Sequence, residues 1–479
     1  MKDGERLVSR EEIEAAVKGH NADYVEVRID DASTNRLVYR GKELEEIGRT
    51  RSFGGCVRAL VNGGWGFVSF NEPSGLRKRA EEAVSQARHV GREKSILAPV
   101  EPAVDVVPAE ILKDPRKITL ARKKELLDAY NGLMLSVDGV TSTNIVYWDG
   151  WKRVTFASSE GSYIEQERID VVSRLAATAK RNGDMQQASM SLGALNDFSY
   201  IESMGEAADM LANRAVELLN APYAEPGVYP VVLDPILAGV FCHEAFGHLS
   251  ESDFVYEDER MKEIMVLGRQ FGQKHLNIVD GAAIPDLRGS YKYDDEGVPA
   301  KRTHLIRDGA LVGRLHSRET AGKMGEPASG NARAIDYRFP PIVRMTNTII
   351  EEGDVPFEKM IGDIKLGVYA RNWFGGTTSM EMFTFSAGEA FMIRDGKIAE
   401  LVRPVKLTGN LFTTLMNIDA IGTDLDGGFG REQSPADLDS IADLQCLPEM
   451  LRCRGYDDEA VAGILHGNWL RFFREAWGG

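Results

Sequence analysis

The order of apolar and polar positions divides this chain into a first half of strands and helices and a second half of strands and turns. Apolar runs predict strands over 24–29, 35–39, 43–51 and 55–61, and Asn62-Gly63 forms a hairpin turn into 65–70. Before them, Ser9-Arg10-Glu11-Glu12 is a capping box that opens a helix to about Lys18. A mixed-charge helix over 75–89, a proline-punctuated connector over 99–115 and a long helix over 118–136 follow. Further strands run through 140–175 and beyond, with turns expected at Asp149-Gly150, Glu160-Gly161 and Asn182-Gly183. A helix over 204–220 stops before Pro222, and Pro222, Pro226 and Gly227 mark a domain boundary. Strands and helices in this antiparallel order predict an α+β fold for the first half.

Beyond the boundary, 228–233 reads as a short buried strand, and Asp234-Pro235 as an N-cap with proline at the first helical position. Ile236 to Phe246 is apolar nearly all round except for one His-Glu pair, which predicts a buried helix. Asp308-Gly309 and Asp395-Gly396 are hairpin signals. The segments 286–295, 324–333 and 375–378 read as loops, the first a lid or binding loop and the others able to approach an extended peptide or to be plain surface turns. Two helices are expected near the end, over 440–453 and 457–476.

The His-Glu pair opens the string His243-Glu244-Ala245-Phe246-Gly247-His248. A neutral imidazole is a good zinc ligand, and an adjacent glutamate can take the proton of a water on the metal. The pattern is HExxxH. Residues four apart on an ideal helix lie about 40° apart around its axis and residues five apart about 140°. His243 and His248 therefore share a metal only where the helix bulges or ends between them, and glycine at 247 suits such a distortion. Glu251 and Asp253 are placed to orient a histidine or a substrate amine. A lone histidine in an apolar helix is usually a hydrogen-bonded core residue, but burying two histidines and a glutamate unpaired is costly.

The chain resembles the TldD/PmbA family of metalloproteases, once described as modulators of DNA gyrase. HEAFGH with Glu251 and Asp253 is similar to the family's active-site block. YDDEGVPAKRTHLIRDGALVG, MGEPASGNARA, RMTNT (344–348), SAGEAFMIRDGKI and 404–422 follow in family order, and ADYVEVR and GGCVRALVNGGWGFVSF resemble the family's first domain. The resemblance covers about residues 6–422. It implies an α+β, two-domain TldD/PmbA-like architecture: a two-layer N-terminal domain (1–222), then a strand-rich domain carrying the metal helix (223–422). It also implies hydrolysis of unfolded or extended peptides admitted to an internal chamber. Zn²⁺ would sit on His243 and His248 with Glu244 as general base, in a dimer, either of two copies or with a related PmbA/TldE-like subunit.

Residues 423–479 depart from that pattern. In the family, a cysteine in a glycine-rich segment of the form GxCGKxGQ supplies a third ligand; here the stretch reads Gly427-Gly428-Phe429-Gly430-Arg431-Glu432-Gln433-Ser434. The tail instead resembles the end of membrane dipeptidases, GTDLDGGFG their late-barrel loop with Asp424 as its catalytic aspartate, and RGYDDEAVAGILHGNWLRFFRE their closing helices. The barrel strands that carry the dipeptidase metal ligands have no counterpart here. Cys446, Cys453, Asp424, Asp426 and Glu432 stay open as third ligands. A protease, a peptide-binding subunit without hydrolysis and a dipeptidase are the readings to separate.

Composition narrows the partners. At 43% hydrophobic and 27% charged, the 479 residues have ordinary globular composition. A net charge of −16 argues against unaided binding to nucleic acid, and so gives the gyrase association no support. No apolar run reaches eighteen residues and the first residues carry no secretion signal, so neither a membrane span nor export is expected. Four cysteines, Cys56, Cys242, Cys446 and Cys453, suggest a reducing compartment, the cytoplasm, over a disulfide framework. The remaining histidines, 20, 89, 275, 304, 316 and 466, show no metal spacing.

Overall fold

The computed structural model describes residues 8–90, 95–379 and 381–422. Its first half is built on one seven-stranded sheet. Strands β1 (Tyr24–Arg40), β2 (Glu43–Val61), β3 (Gly64–Phe70), β4 (Val104–Val107), β5 (Val140–Ser158), β6 (Tyr163–Arg181) and β7 (Asp184–Leu195) line up as β3-β2-β1-β5-β6-β4, with β7 also on β6. All pairs are antiparallel except β4 with β6. Strands of 19 residues such as β5 and β6 span about 60 Å.

That length lets one sheet carry two cores. At one end Val25, Val27, Ile29, Val57 and Ala59 pack with Ile13 and Val17 of α1 (Arg10–Val17) and Ala80 and Ala83 of α2 (Leu76–Ala87). At the other, Leu37, Tyr39, Ile145, Tyr147 and Leu175 pack with α3 (Leu120–Ser136), α4 (Ser199–Glu202) and α5 (Gly205–Leu218). Between the cores the sheet has a polar waist. Asp30 and Asp31 are buried there, with Lys152 Nζ 2.9 Å from Asp30 and Arg51 and Arg153 3.2 and 3.3 Å from Asp31.

The waist corrects the sequence reading. The segments 24–29 and 35–39 are one strand, as are 43–51 and 55–61, because paired charges carry each strand through the polar stretch. Asp149-Gly150 makes no turn and lies inside β5. The buried Asp149 carboxylate accepts from Lys123 Nζ at 2.5 Å, Tyr147 Oη at 2.6 Å and Asn35 Nδ2 at 2.9 Å. By contrast, Asn62-Gly63 and Asn182-Gly183 have the paired positive φ angles of type I′ hairpins, 49° and 83°, and 52° and 86°. Ser9 caps α1 through Glu12 N, one half of the expected box.

Among the described residues, the second half holds three smaller sheets. Strand β8 (Val231–Leu233) lies parallel to β15 (Leu366–Ser379) in the order β17-β16-β15-β8, with β16 (Met382–Arg394), β17 (Lys397–Val402) and β18 (Lys406–Asn410), the last also on β16. Strands β9 (Ile278–Gly281), β10 (Arg302–Arg307), β11 (Ala310–Leu311) and β14 (Thr348–Ile350) form a second sheet, and β12 (Ala332–Arg333) with β13 (Ile342–Val343) a third. The hairpins at Asp308-Gly309 and Asp395-Gly396 form, while 375–378, expected as a loop, runs inside β15. The strand expected over 228–233 is shorter, and Val228 is exposed.

Helix α6 (Pro235–Cys242) crosses between these sheets. Asp234 caps it, accepting from Leu237 N at 2.8 Å, and takes a second bond from Asn372 N of β15 at 3.0 Å. Leu237, Phe241 and Cys242 are buried, and Phe241 meets Phe383 and Phe385 edge-on at 5.5 and 5.9 Å. Ile236 is exposed, so the helix buries one side and not its whole circumference. The dipeptidase-like tail, with both helices expected there, lies outside the described residues.

Candidate metal centre

At His243 the helix changes pitch. A π-helical turn spans His243–Gly247, with His248 N–H bonded to His243 O five residues back, and a 3₁₀ turn over His248–Ser250 follows. The widened turn cancels the angular offset that an ideal helix would impose on residues five apart. The imidazole rings of His243 and His248 come to 4.9 Å between centroids, at 81° to each other. One ligand atom each from His243, Glu244 and His248 lie within 4.8 Å of one another. Gly247 enables this differently from the expectation. Its φ of −58° is ordinary helix, but a Cβ there would lie 2.0 Å from Met345 Sδ. Glycine supplies room, not an unusual backbone.

Below the rings the turn is fixed at both ends. Phe246 and Ala245 are buried, and Phe246 stacks edge-on against Phe271 at 5.4 Å. Past the turn, Leu315 N donates to Ser250 O and Ser252 N to Leu315 O, holding Glu251 against the segment at Leu315 at the start of α7 (Ser252–Glu257).

Glu251 is fully buried, and its Oε2 lies 3.2 Å from His248 Nδ1. Arg344 Nη1 donates to the same oxygen at 3.1 Å and to Oε1 at 3.4 Å. A carboxylate on Nδ1 fixes the ring and its tautomer and leaves Nε2 to a metal. The Glu251 bond raises the pKa of His248 above that of an ordinary imidazole. His243, although solvent reaches it, is lowered, first by partial desolvation and then by the neighbouring His248. Neither the His243 ring nor the Glu244 carboxylate has a hydrogen bond among the described residues. Asp253, the other expected orienting group, accepts from Val343 N at 3.2 Å and touches neither histidine by hydrogen bond, and burial raises its pKa.

Three residues without an assigned role in the sequence complete the surround. Met345 fills the space over Gly247, Arg344 shares Glu251 with His248, and the buried Asp280 holds the strand behind them through Thr346 N, Thr346 Oγ1 and Thr348 Oγ1. Of 324–333, expected as a loop, Met324 ends a helix and Ala332–Arg333 form β12; the stretch between them reaches the site by Asn331, whose Nδ2 bonds Asp280 at 2.8 Å and Arg344 O at 3.0 Å. In 286–295, Asp294 is buried and bonds to backbone N–H groups of Glu296, Val298 and Ala332.

The donor set fits a zinc ion: two imidazoles with free nitrogens on one side of a widened turn, a carboxylate beside them, and a buried acid orienting one ring. Cys446, Cys453, Asp424, Asp426 and Glu432 lie outside the described residues. Cys242 is buried, and its thiol is pushed up by desolvation, away from the thiolate that metals bind. Of the other histidines, His316 is buried 3.1 Å from Glu326 Oε2, His275 bonds Ile418 O and His20 bonds Ala16 O.

Family profiles match this chain in three consecutive pieces: PmbA/TldA metallopeptidase domain 1 over residues 25–87, the central domain over 113–221 and the C-terminal domain over 226–438. The chain belongs to the PmbA/TldD metallopeptidase family. A metalloprotease of Synechocystis sp. is 47% identical over 416 residues, covering 86% of this chain and 90% of that protein. The zinc metalloprotease TldD homologue of Saccharolobus solfataricus is 26% identical over 409 residues, 84% and 89% of the two chains. In fold, the chain is similar to a Thermotoga maritima protein described as a candidate modulator of a DNA gyrase, with a TM-score of 0.70 at 21% identity, over 84% of this chain and 91% of that one. The mixed α and β TldD/TldE-like fold is thus as the resemblance implied, but the profiles divide it into three family domains where two were expected, the first half splitting into domain 1 and a central domain. The C-terminal profile continues past residue 422 into the tail likened to dipeptidases. No helix among the described residues is long and apolar enough to cross a membrane.

Proposed function

We propose that this chain is a zinc-dependent peptidase that cleaves unfolded or extended peptides. The observation that carries the reading is the convergence of His243, Glu244 and His248 within 4.8 Å, with His248 anchored by buried Glu251. His243 and His248 would hold Zn²⁺, which when bound supplies Lewis-acid polarisation of a peptide carbonyl and of water. Glu244, half-buried and without a hydrogen bond among the described residues, accepts the proton of the attacking water and passes it to the leaving amine. Glu251 holds the His248 ring in the tautomer that keeps Nε2 free. Pairing, in a homodimer or with a related TldE-like subunit, and residence in the reducing cytoplasm belong to the same reading. The buried free thiols of Cys56 and Cys242 agree with the second.

Elemental analysis of protein purified without added metal, beside His248→Ala, tests the site. About one zinc per chain, lost in the variant, is expected. Glu244→Gln is expected to keep that zinc while hydrolysis of an unstructured peptide falls by about 10²–10⁴-fold. Wild-type protein without metal would sink the peptidase reading. A second reading, a peptide-binding subunit without hydrolysis, is favoured by one observation: 427–434 lacks the cysteine of the family segment it resembles. Stoichiometric zinc with no turnover would select it.

A further inference from the structure

We propose that Arg344 binds the carbonyl oxygen of the scissile peptide bond and stabilises it as it becomes an oxyanion. The proposal rests on the peptidase reading and supplies a donor that the HExxxH string does not contain.

Arg344 Nη1 and His248 Nδ1 end on one and the same oxygen, Glu251 Oε2, at 3.1 and 3.2 Å. The guanidinium is therefore held beside the ring that would carry the metal. The backbone of Arg344 is fixed on both sides of its Cα, since its N–H donates to Asn331 O at 2.9 Å and its C=O accepts from Asn331 Nδ2 at 3.0 Å. The following residue, Met345, is buried against Gly247 and gives its carbonyl to Arg333 Nη1 at 2.7 Å. This arginine thus stands on a fixed backbone, directly after β13, as a preorganised donor must.

Exposure separates the proposal from a purely structural ion pair. Glu251 is 0% exposed, whereas the Arg344 side chain is 42% exposed. Among the described residues its guanidinium bonds to Glu251 alone, through Nη1. Nε–H and the Nη2 hydrogens are left over, in the fixed plane that guanidinium imposes. An arginine serving only to neutralise Glu251 would have no need to keep those donors left over on a solvent-reached side chain beside His248.

The step balances without a further reactant. The water oxygen attacks the carbonyl carbon, its proton moves to Glu244, and the π pair of the carbonyl moves onto oxygen, to which an Arg344 N–H donates a hydrogen bond. Collapse of the tetrahedral state returns that pair, breaks the C–N bond and sends the proton from Glu244 to the amine. The hydrogen bond to Arg344 strengthens as charge develops, so its effect falls on kcat more than on KM.

The test uses the full zinc-loaded chain, a fluorogenic unstructured peptide in free-acid and C-terminal amide forms, and the variants Arg344→Ala and Arg344→Lys. Arg344→Ala is expected to retain zinc, to lose about 10²–10³-fold in kcat on both peptides with KM little changed, and to regain rate when guanidinium ion is added. Arg344→Lys should lie between it and wild type. Unchanged kcat overturns the proposal. So does loss of zinc, which would make Arg344 a support for Glu251, and so does a KM rise confined to the free acid, which would make it a terminal-carboxylate binder. Inactive wild-type protein removes the peptidase reading and this proposal together, an outcome distinct from an active wild type with an unaffected variant.

Discussion

Gly247 and Met345 form a contact on which the site depends although neither bears a functional group. Gly247→Ala places a methyl 2.0 Å from Met345 Sδ, so thermal or denaturant unfolding should show a loss of about 1–3 kcal/mol. Adding Met345→Ala should remove part of that clash, and a double-mutant cycle would register the coupling. The two histidines differ as sharply. In metal-free protein followed by NMR, His248, raised by Glu251, should take its proton first as pH falls, and His243, lowered by desolvation, should follow at lower pH. Glu251→Gln should bring the His248 transition down. The pairing of His243 and His248 was legible in the sequence because both lie on one short stretch of chain. Arg344 was not, since it meets Glu251 across 93 positions and only folding joins them.

At the scale of elements, sequence reasoning failed where charge is buried. Strand signals stop at Asp30 and at Asp149 because polar residues there look like turns, yet the sheet passes straight through. Lys123 and Asp149 are both nearly sealed from water, and desolvation lowers the lysine pKa despite the attraction of the aspartate. Lys123→Met leaves that carboxylate, among the described residues, with Tyr147 and Asn35 and should destabilise the chain by about 3–5 kcal/mol in denaturant unfolding. The double change to Met and Leu should recover much of the loss. The helix carrying HExxxH was legible from its cap and apolar run, and its bulge followed from the spacing of the histidines. Its open side, with Ile236 exposed, was not, because an all-apolar stretch carries no mark of which face meets solvent.

For the whole molecule, metal and fold should be coupled. Dialysis against chelator should abolish hydrolysis and lower the thermal midpoint, with both restored by zinc. Saturation at 100 times Kd corresponds to about 2.7 kcal/mol. Replacing Asp424, Asp426, Glu432, Cys446 and Cys453 one at a time, with zinc counted in each, tests the candidates that the sequence leaves open: a single change that empties the site would mark a third ligand, and zinc retained in all five would remove them. The long sheet has a different implication. Family domain 1 and the central domain are separate stretches of sequence, but β1 and β5 are zipped together from Glu26–Ser158 to Arg40–Asn144. A cut engineered into the connector between α2 and α3 would therefore nick the protein without releasing a piece. Two fragments held by fifteen rungs of backbone should co-elute until denaturant peels them apart, so a gene split at that joint makes a natural pair of complementing halves.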